Sequence, residues 1–372
     1  MEIITLPKHN KLAIDKLSAC FNNTTNSYKF YWFLAILNIV KISQKTILSF
    51  NEIFGNMIST VWYPVNYFQL SFGKLDRLSE ITLFIKNYLN LPENIDKFEL
   101  LKKILNSSHI EITKEINKLA KYVPYRFLRP FFEKNLMGRL DKQLHILIIE
   151  LSKKNFDNEY NPSLYRFIEF PEFGIEINEE WFIYLNQHNY ILEGFTYWHL
   201  LQYLQNKNPN VPNIAGKLFQ PKKRDLIKAK RYWNIVFNIT KTINCIYSKE
   251  SIGTENLSLD HFLPWRFVTH DLNWNIIPTT KKVNSAKGDF LPNMKLYFDD
   301  FAKLQYEGFQ IISSIEKPKL LEDYSILFKE NNIENIRALS YNDFKTKLFD
   351  TISPQIQIAQ NMGFHSNWIY QK

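Results

Sequence analysis

The stretch LDHFLPWRFVTHDLNWNIIPTTKKVNSAKGD, residues 259–289, combines an Asp-His pair with several basic residues. NCIYS and LSLDHF are short segments with strand composition, and the spacer KESIGTEN between them contains the glycine and asparagine of a hairpin turn. After Pro264 the chain loops through WRFVTHDLNWNIIP. TTKKVNSAKG then has helical composition, capped by Thr279 or Thr280 and ended by Gly288. The predicted order is strand, strand, loop, helix.

Asp260 and His261 end the second predicted strand, where neighbouring side chains point to opposite faces. Asn284 comes from the helix that packs back over the hairpin, so a ββα unit brings three polar groups toward one point. Each residue alone also has an ordinary structural interpretation, because Asp and Asn cap turns and helices. His270 and Asp271 are interpreted as structural, with Asp271 as a loop or helix cap; a role in the site is the less favoured alternative.

The joint spacing of these residues resembles the HNH nuclease superfamily, which has the ββα-metal fold. Asn275 lies 15 residues after Asp260, Asn284 lies 24 residues after it, and Lys287 follows. The segment is similar to the HNH domain of the type II RNA-guided CRISPR nucleases, with Asn in place of the final His of the family's name. The resemblance covers about residues 245–292 and implies an endonuclease that depends on a metal ion.

Phosphodiester hydrolysis needs an activated water and a cation that neutralises charge on the phosphate. Asp260 and Asn284 offer two oxygen ligands, a sparse set that suits Mg²⁺ or Mn²⁺ retaining waters, and the His261 imidazole is the predicted general base. The resemblance implies that Asn275, counted with the catalytic residues, ties down the loop and orients the histidine. Lys287, one turn after Asn284, is predicted to hold a phosphate.

Positive charge is concentrated around this motif. The net charge is +9, and residues 217–295 contain 14 Lys and Arg against 6 Asp and Glu. This concentration favours DNA, expected to be double-stranded, because each neutralised phosphate releases counterions; a solvated lysine-rich surface is the alternative. The residues predicted to contact DNA are Lys287, Arg266, Lys281, Lys282, Lys222, Lys223 and Arg224. The last three belong to a helix predicted to start at Pro221, with Leu226, Ile227, Trp233 and Val236 as its buried stripe.

Cysteine usage argues against structural zinc. Many relatives flank the motif with CxxC pairs, whereas this chain reads CIYS from Cys245 and has only two cysteines. The hairpin must instead be held by packing, for which the predicted residues are Ile246, Leu259, Phe262, Trp265 and Trp274.

The remaining sequence predicts a mainly α-helical protein, because it has only ten glycines and recurrent helical spacing. Its first residues carry scattered charges and no apolar signal region. The apolar run FYWFLAILNIV, residues 30–40, is shorter than the ~18 residues of a membrane span and predicts a buried helix started by the Thr25–Ser27 cluster. We therefore expect a cytoplasmic protein with no membrane segment.

Four regions are predicted. They are a helical N-terminal region (1–154), a mixed or helical connecting region with the basic helix (155–242), the HNH ββα-metal nuclease domain (243–295) and a C-terminal helical region (296–372). The predicted function is DNA cleavage, with restriction or anti-phage defence as its setting and a protein partner or homo-oligomer formed through the helical region. A nucleic-acid-binding protein with an inactive HNH platform and an RNA-directed nuclease remain alternatives.

Overall fold

A computed structural model describes residues 5–22, 24–107, 109–170, 172–221, 224–253, 255–315 and 317–371, without the side chains of Asp141 and Lys142. The predicted DNA contacts Lys222 and Lys223 lie outside the described residues. The chain divides into two compact units. The first contains residues 1–209 and 217–220, and the second contains residues 210–216 and 221–372.

The first unit is mainly helical. Its described helices are α1 (Ile14–Ala19), α2 (Tyr28–Ser43), α3 (Phe50–Trp62), α4 (Arg77–Tyr88), α5 (Lys97–Leu105), α6 (Ile110–Asn117), α7 (Val123–Leu128), α8 (Glu133–Leu136), α9 (Asp141–Lys154), α10 (Glu179–Gln187) and α11 (Asn189–Lys207). Its described strands are β1 (Ile47–Ser49), β2 (Tyr165–Ile168) and β3 (Gly174–Ile177).

Helix α2 forms the centre of this unit. Its residues from Phe30 to Leu37 are all buried, and it packs on α3, α7, α10 and α11. A helix that is apolar all round must be covered on every side. It begins after Ser27, so the predicted buried helix is confirmed. Among the described residues, no helix combines the length and the hydropathy needed to cross a membrane.

The three strands form one antiparallel sheet in the order β1-β3-β2. Gly174 pairs with Ser49, and a Cβ at Gly174 would lie 2.2 Å from the Leu48 carbonyl oxygen, so only glycine allows this close approach of the two strands. Strands β2 and β3 lie in the predicted mixed or helical connecting region that starts at residue 155. Because β3 pairs with both β1 and β2, the predicted region boundary at residues 154/155 lies inside the first unit.

The second unit contains the ββα segment and the C-terminal helices. Its described helices are α12 (Ile227–Thr240), α13 (Trp265–Val268), α14 (Lys281–Lys287), α15 (Met294–Ser314), α16 (Glu322–Phe328), α17 (Ile333–Arg337) and α18 (Tyr341–Asn361). Its described strands are β4 (Ile243–Asn244), β5 (Ser251–Ile252), β6 (Leu257–His261) and β7 (Ile276–Thr280). The chain is therefore mainly helical, with a small ββα element followed by C-terminal helices, as the sequence predicts.

The predicted strand pairing was wrong. LSLDHF forms β6, but its antiparallel partner is β7, which was assigned to the loop, with Leu257 opposite Thr280 and His261 opposite Ile276. Of NCIYS, only Asn244 lies in a strand, the two-residue β4 (Ile243–Asn244), which pairs with β5 instead. Pro278 in β7 lacks a backbone N–H, but a two-stranded sheet has only edge strands and tolerates it.

Helix α12 begins later than predicted. It starts at Ile227, whose backbone N–H donates to the Asp225 carboxylate at 2.9 Å, and residues 224–226 before it are not helical. Trp233 and Val236 are buried as predicted, whereas Ile227 is 72% exposed.

Packing on neighbouring helices holds the ββα segment. Ile246, Leu259, Phe262 and Trp274 belong to a buried cluster that includes residues of α12, α15, α16 and α18. The predicted fifth member, Trp265, is only partly buried. The Trp233 indole and the Gln305 amide both donate to the Ile276 carbonyl oxygen, at 2.9 and 3.0 Å. Helices α12 and α15 therefore fix the start of β7 by hydrogen bonds as well as by apolar contact.

Cys245, at the position of the first CxxC pair in many relatives, is fully buried. Its sulfur lies 3.1 Å from the Thr279 hydroxyl on β7 and accepts from the Ser248 N–H at 3.5 Å. The thiol thus connects the β4–β5 turn to β7.

Candidate active site

Asp260 and His261 are the last two residues of β6 and are almost completely buried, at 3% and 4% exposure. Because side chains alternate along a strand, the two groups have different surroundings. The Asp260 carboxylate contacts Tyr247 and α14, and the His261 ring contacts the loop between α13 and β7.

The His261 ring pairs with a carboxylate. Its Nε2 lies 2.8 Å from Asp271 Oδ1, and Asp271 is itself largely buried. An ionised carboxylate only accepts hydrogen bonds, so Nε2 carries the proton and, in the neutral ring, Nδ1 is the basic nitrogen. Asp271 therefore fixes both the orientation and the tautomer of His261.

Asp271 is a candidate functional residue that sequence reasoning placed among the structural residues. It was interpreted as a cap, because it lies ten residues after His261 in a loop without periodicity. The only available sequence signal was an acidic residue in the loop that leads back to the paired strand. The fold brings that loop against the end of β6.

The Asp260 carboxylate has a partner on each oxygen. The Tyr247 hydroxyl donates to Oδ2 at 2.9 Å, and the Lys287 ammonium lies 3.2 Å from Oδ1. Burial raises the pKa of Tyr247 well above its usual value, and the Asp260 charge and hydrogen bond raise it further. Tyr247 therefore stays protonated and acts as a donor to Asp260.

Lys287 does not occupy the position predicted for a phosphate contact. Its side chain is completely buried, and its ammonium also donates to the His261 carbonyl oxygen at 2.7 Å. Because α14 packs directly on β6, a lysine on this face meets the strand rather than the solvent. In this structure Lys287 balances the charge of Asp260 and ties α14 to the end of β6.

Asn275 is fully buried and bonded to the loop that follows β6. Its amide donates to the Leu263 carbonyl oxygen at 2.9 Å and accepts from the Leu263 N–H at 2.8 Å. The Asn275 backbone carbonyl accepts from the Phe262 N–H at 2.8 Å. These bonds hold the chain immediately after His261, so Asn275 is placed to position the loop and not to contact a substrate.

Asn284 is held against β6 by its amide nitrogen. Nδ2 donates to the Ser258 hydroxyl at 2.9 Å and to the Leu259 carbonyl oxygen at 3.1 Å. Both contacts use the nitrogen, so Oδ1 is the atom that this arrangement leaves for a ligand. The helix that carries it is short and well defined, because Thr280 caps its start and Gly288, at φ 48°, ends it.

Asp260 and Asn284 carry the oxygen types that a hard cation prefers. Asp260 supplies carboxylate oxygens with lone pairs beyond those used by Tyr247 and Lys287, and Asn284 supplies Oδ1 from the adjacent helix. Within the described part of the chain, no cluster of three or more His, Cys, Asp or Glu side chains could form a denser metal site. A two-ligand site suits Mg²⁺, which takes waters and phosphate oxygens as its other ligands.

The predicted DNA contacts divide into two groups. Lys281, Lys282 and Arg224 are exposed, and the Arg224 guanidinium lies 5.4 Å from the centre of the Trp265 ring. Arg266 is only 8% exposed, and its guanidinium lies 3.7 Å from an Asp289 oxygen. The exposed group is therefore available to a phosphate backbone, whereas the phosphate role of Arg266 does not fit this conformation.

Comparison with protein families gives one match in this segment. Residues 245–293 match the family model described as HNH endonuclease. A search of curated proteins and a search of solved structures found no match. The matched residues contain both strands and the helix of the site, together with Asp260, His261, Asn275 and Asn284. Residues 245–293 are therefore identified as an HNH endonuclease segment.

Proposed function

We propose that the protein is a metal-dependent HNH endonuclease that hydrolyses DNA phosphodiester bonds. The observation that carries the proposal is the His261–Asp271 pair beside Asp260. A carboxylate that fixes the tautomer of a histidine leaves the other ring nitrogen able to accept a proton, as a general base must. A binding platform would have no chemical need for this arrangement.

Each residue of the site then has a separate role in the proposed reaction. His261 Nδ1 accepts a proton from the attacking water, while Asp271 holds the ring and stabilises the imidazolium that forms. Asp260 and Asn284 would hold Mg²⁺ or Mn²⁺, which supplies charge neutralisation at the phosphate. Asn275 keeps the chain after His261 in place, and Lys287 and Tyr247 orient the Asp260 carboxylate.

Substrate binding is assigned to the exposed cations of the second unit. Lys281 and Lys282 lie in the first turn of α14, the helix that carries Asn284, and Arg224 lies beside the start of α13. Contacts from these side chains to phosphates would bring the backbone to the helix that supplies a metal ligand. Restriction or anti-phage defence, in the cytoplasm, is the setting that we propose for this activity.

The experiment is cleavage of supercoiled plasmid by the purified protein with Mg²⁺ or Mn²⁺, with and without EDTA, beside a single-stranded RNA of mixed sequence. The proposal predicts nicked or linear plasmid only with the metal. Cleavage of RNA with intact plasmid would make the enzyme a ribonuclease. DNA binding without cleavage of either substrate under any metal condition would favour the platform alternative.

A further inference from the structure

The chain after α18 returns to the ββα segment, and both belong to the second unit. This return segment, residues 364–370, runs parallel to the chain that follows α14. The Leu291 N–H donates to the His365 carbonyl oxygen at 2.8 Å, and the Trp368 N–H donates to the Leu291 carbonyl oxygen at 3.0 Å. The Asn293 N–H donates to the Trp368 carbonyl oxygen at 3.0 Å. Backbone hydrogen bonds therefore fix the position of Trp368.

The Trp368 indole contacts the ring of Tyr247. The two rings pack edge to face, with centres 5.3 Å apart and planes at 80°. Tyr297 of α15 packs on Tyr247 in the same way, at 5.0 Å and 78°. The Tyr370 N–H donates to the Tyr297 hydroxyl at 3.0 Å, so the return segment also holds this second ring. Edge-to-face contact is a favoured arrangement of aromatic pairs, and the Tyr247 ring is therefore supported by two neighbours.

The backbone around Tyr247 gives its ring little support. Tyr247 lies in the turn between β4 and β5, which are strands of two residues each. A two-stranded hairpin is only marginally stable by itself. The orientation of a side chain in such a turn therefore depends on the elements that pack against it, which here include α15 and the return segment.

The orientation of Tyr247 bears directly on Asp260. The Tyr247 hydroxyl donates to Asp260 Oδ2 at 2.9 Å, while the Lys287 ammonium lies 3.2 Å from Oδ1. The two donors together set the plane of the carboxylate and direct its remaining lone pairs. If the Tyr247 ring moved, Oδ2 would lose this donor and the carboxylate could turn toward Lys287.

We infer that Trp368 is a positioning residue for Asp260 and acts through the Tyr247 ring. This role rests on the proposed function, because it takes Asp260 as a ligand of Mg²⁺ or Mn²⁺. Groups that orient a metal ligand without touching the ion strengthen metal binding. Trp368 lies outside residues 245–293, which match the family model. A part of the chain beyond the HNH segment therefore completes the support of its site.

The test is calorimetric titration of the whole protein with Mn²⁺ alone, with Asp260→Asn as the measure of binding outside the site. Tyr247→Phe should raise the Kd by roughly 10-fold, the usual effect of losing a group that orients a ligand. Trp368→Ala should raise it by roughly 3- to 10-fold, because a mobile Tyr247 keeps its hydrogen bond part of the time. Trp368→Phe retains a ring and should restore most of the affinity. Ile369→Ala, at a neighbour that is 48% exposed, is the matched control and should leave the Kd unchanged.

A double-variant cycle separates positioning from a general loss of structure. Tyr247→Phe already lacks the hydroxyl that Trp368 positions, so the addition of Trp368→Ala should raise the Kd by less than ~2-fold. Multiplication of the two single effects would overturn the inference, since Trp368 would then act independently of Tyr247.

Hydrogen exchange of the wild-type protein gives a second measurement that does not depend on the folding of a variant. Linkage requires that the metal stabilise the docked return segment by the same factor by which that segment strengthens metal binding. Saturating Mg²⁺ should therefore slow exchange at the Leu291 and Trp368 amides relative to those of α5 in the first unit. Unchanged exchange, or a wild-type Kd for Mn²⁺ in Trp368→Ala, would overturn the inference alone. Wild-type Mn²⁺ binding no tighter than that of Asp260→Asn would overturn the proposed metal site and this inference together.

Discussion

Replacing Asp271 with Asn tests how His261 is activated. The substitution keeps the size of the side chain but removes the charge that lies 2.8 Å from Nε2. A hydrogen bond to a charged group contributes about 1.5–3 kcal/mol. Since each ~1.4 kcal/mol of activation free energy is a factor of ten, the cleavage rate should fall by ~10- to 100-fold.

The assay is single-turnover cleavage of a labelled DNA with saturating Mg²⁺, so that the chemical step is measured. DNA affinity should stay close to that of the wild type, because Asp271 is largely buried. It contacts His261, the proposed general base, and does not belong to the group of exposed cations. Asp350→Asn is the matched control, since it makes the same change at an exposed position of α18. A wild-type rate for Asp271→Asn would show that the carboxylate only packs the loop and would refute this account of the base.

Three further predictions concern stability and binding. Asn275→Ala removes both hydrogen bonds with Leu263 and leaves buried backbone groups unpaired, so the free energy of unfolding should fall by about 2–4 kcal/mol in urea titrations. Lys281→Gln with Lys282→Gln should reduce the slope of log affinity against log salt by up to ~2 in DNA-binding titrations, with little change in maximal rate at saturation. The raised pKa of Tyr247 means that the folded state favours the protonated phenol. Its contribution to the free energy of unfolding is therefore complete below pH ~10 and is lost as the pH rises further. Tyr247→Phe should make thermal unfolding less sensitive to alkaline pH.

Much of the site's local structure follows from sequence. The Asp-His pair after an apolar run marked the end of β6, and Thr280 and Gly288 marked both ends of α14 because capping depends on neighbouring residues. The buried helix α2 was also evident, since an apolar run too short for a membrane must lie in a core.

The errors concern contacts between distant parts of the chain. The pairing of β6 with β7 depends on how the two segments pack against the helices of the second unit. The burial of Lys287 depends on how closely α14 approaches β6, and the contact of Asp271 with His261 depends on how a loop returns. Local propensity carries no information on such distances.

The central claim is tested most directly by His261→Ala in the same single-turnover assay with Mg²⁺. If His261 is the general base, the cleavage rate should fall by ~10²- to 10⁴-fold while DNA affinity and metal binding are retained. Cleavage by the variant at the wild-type rate, with chemistry rate-limiting, would contradict the assignment and leave the ββα segment without its proposed mechanism.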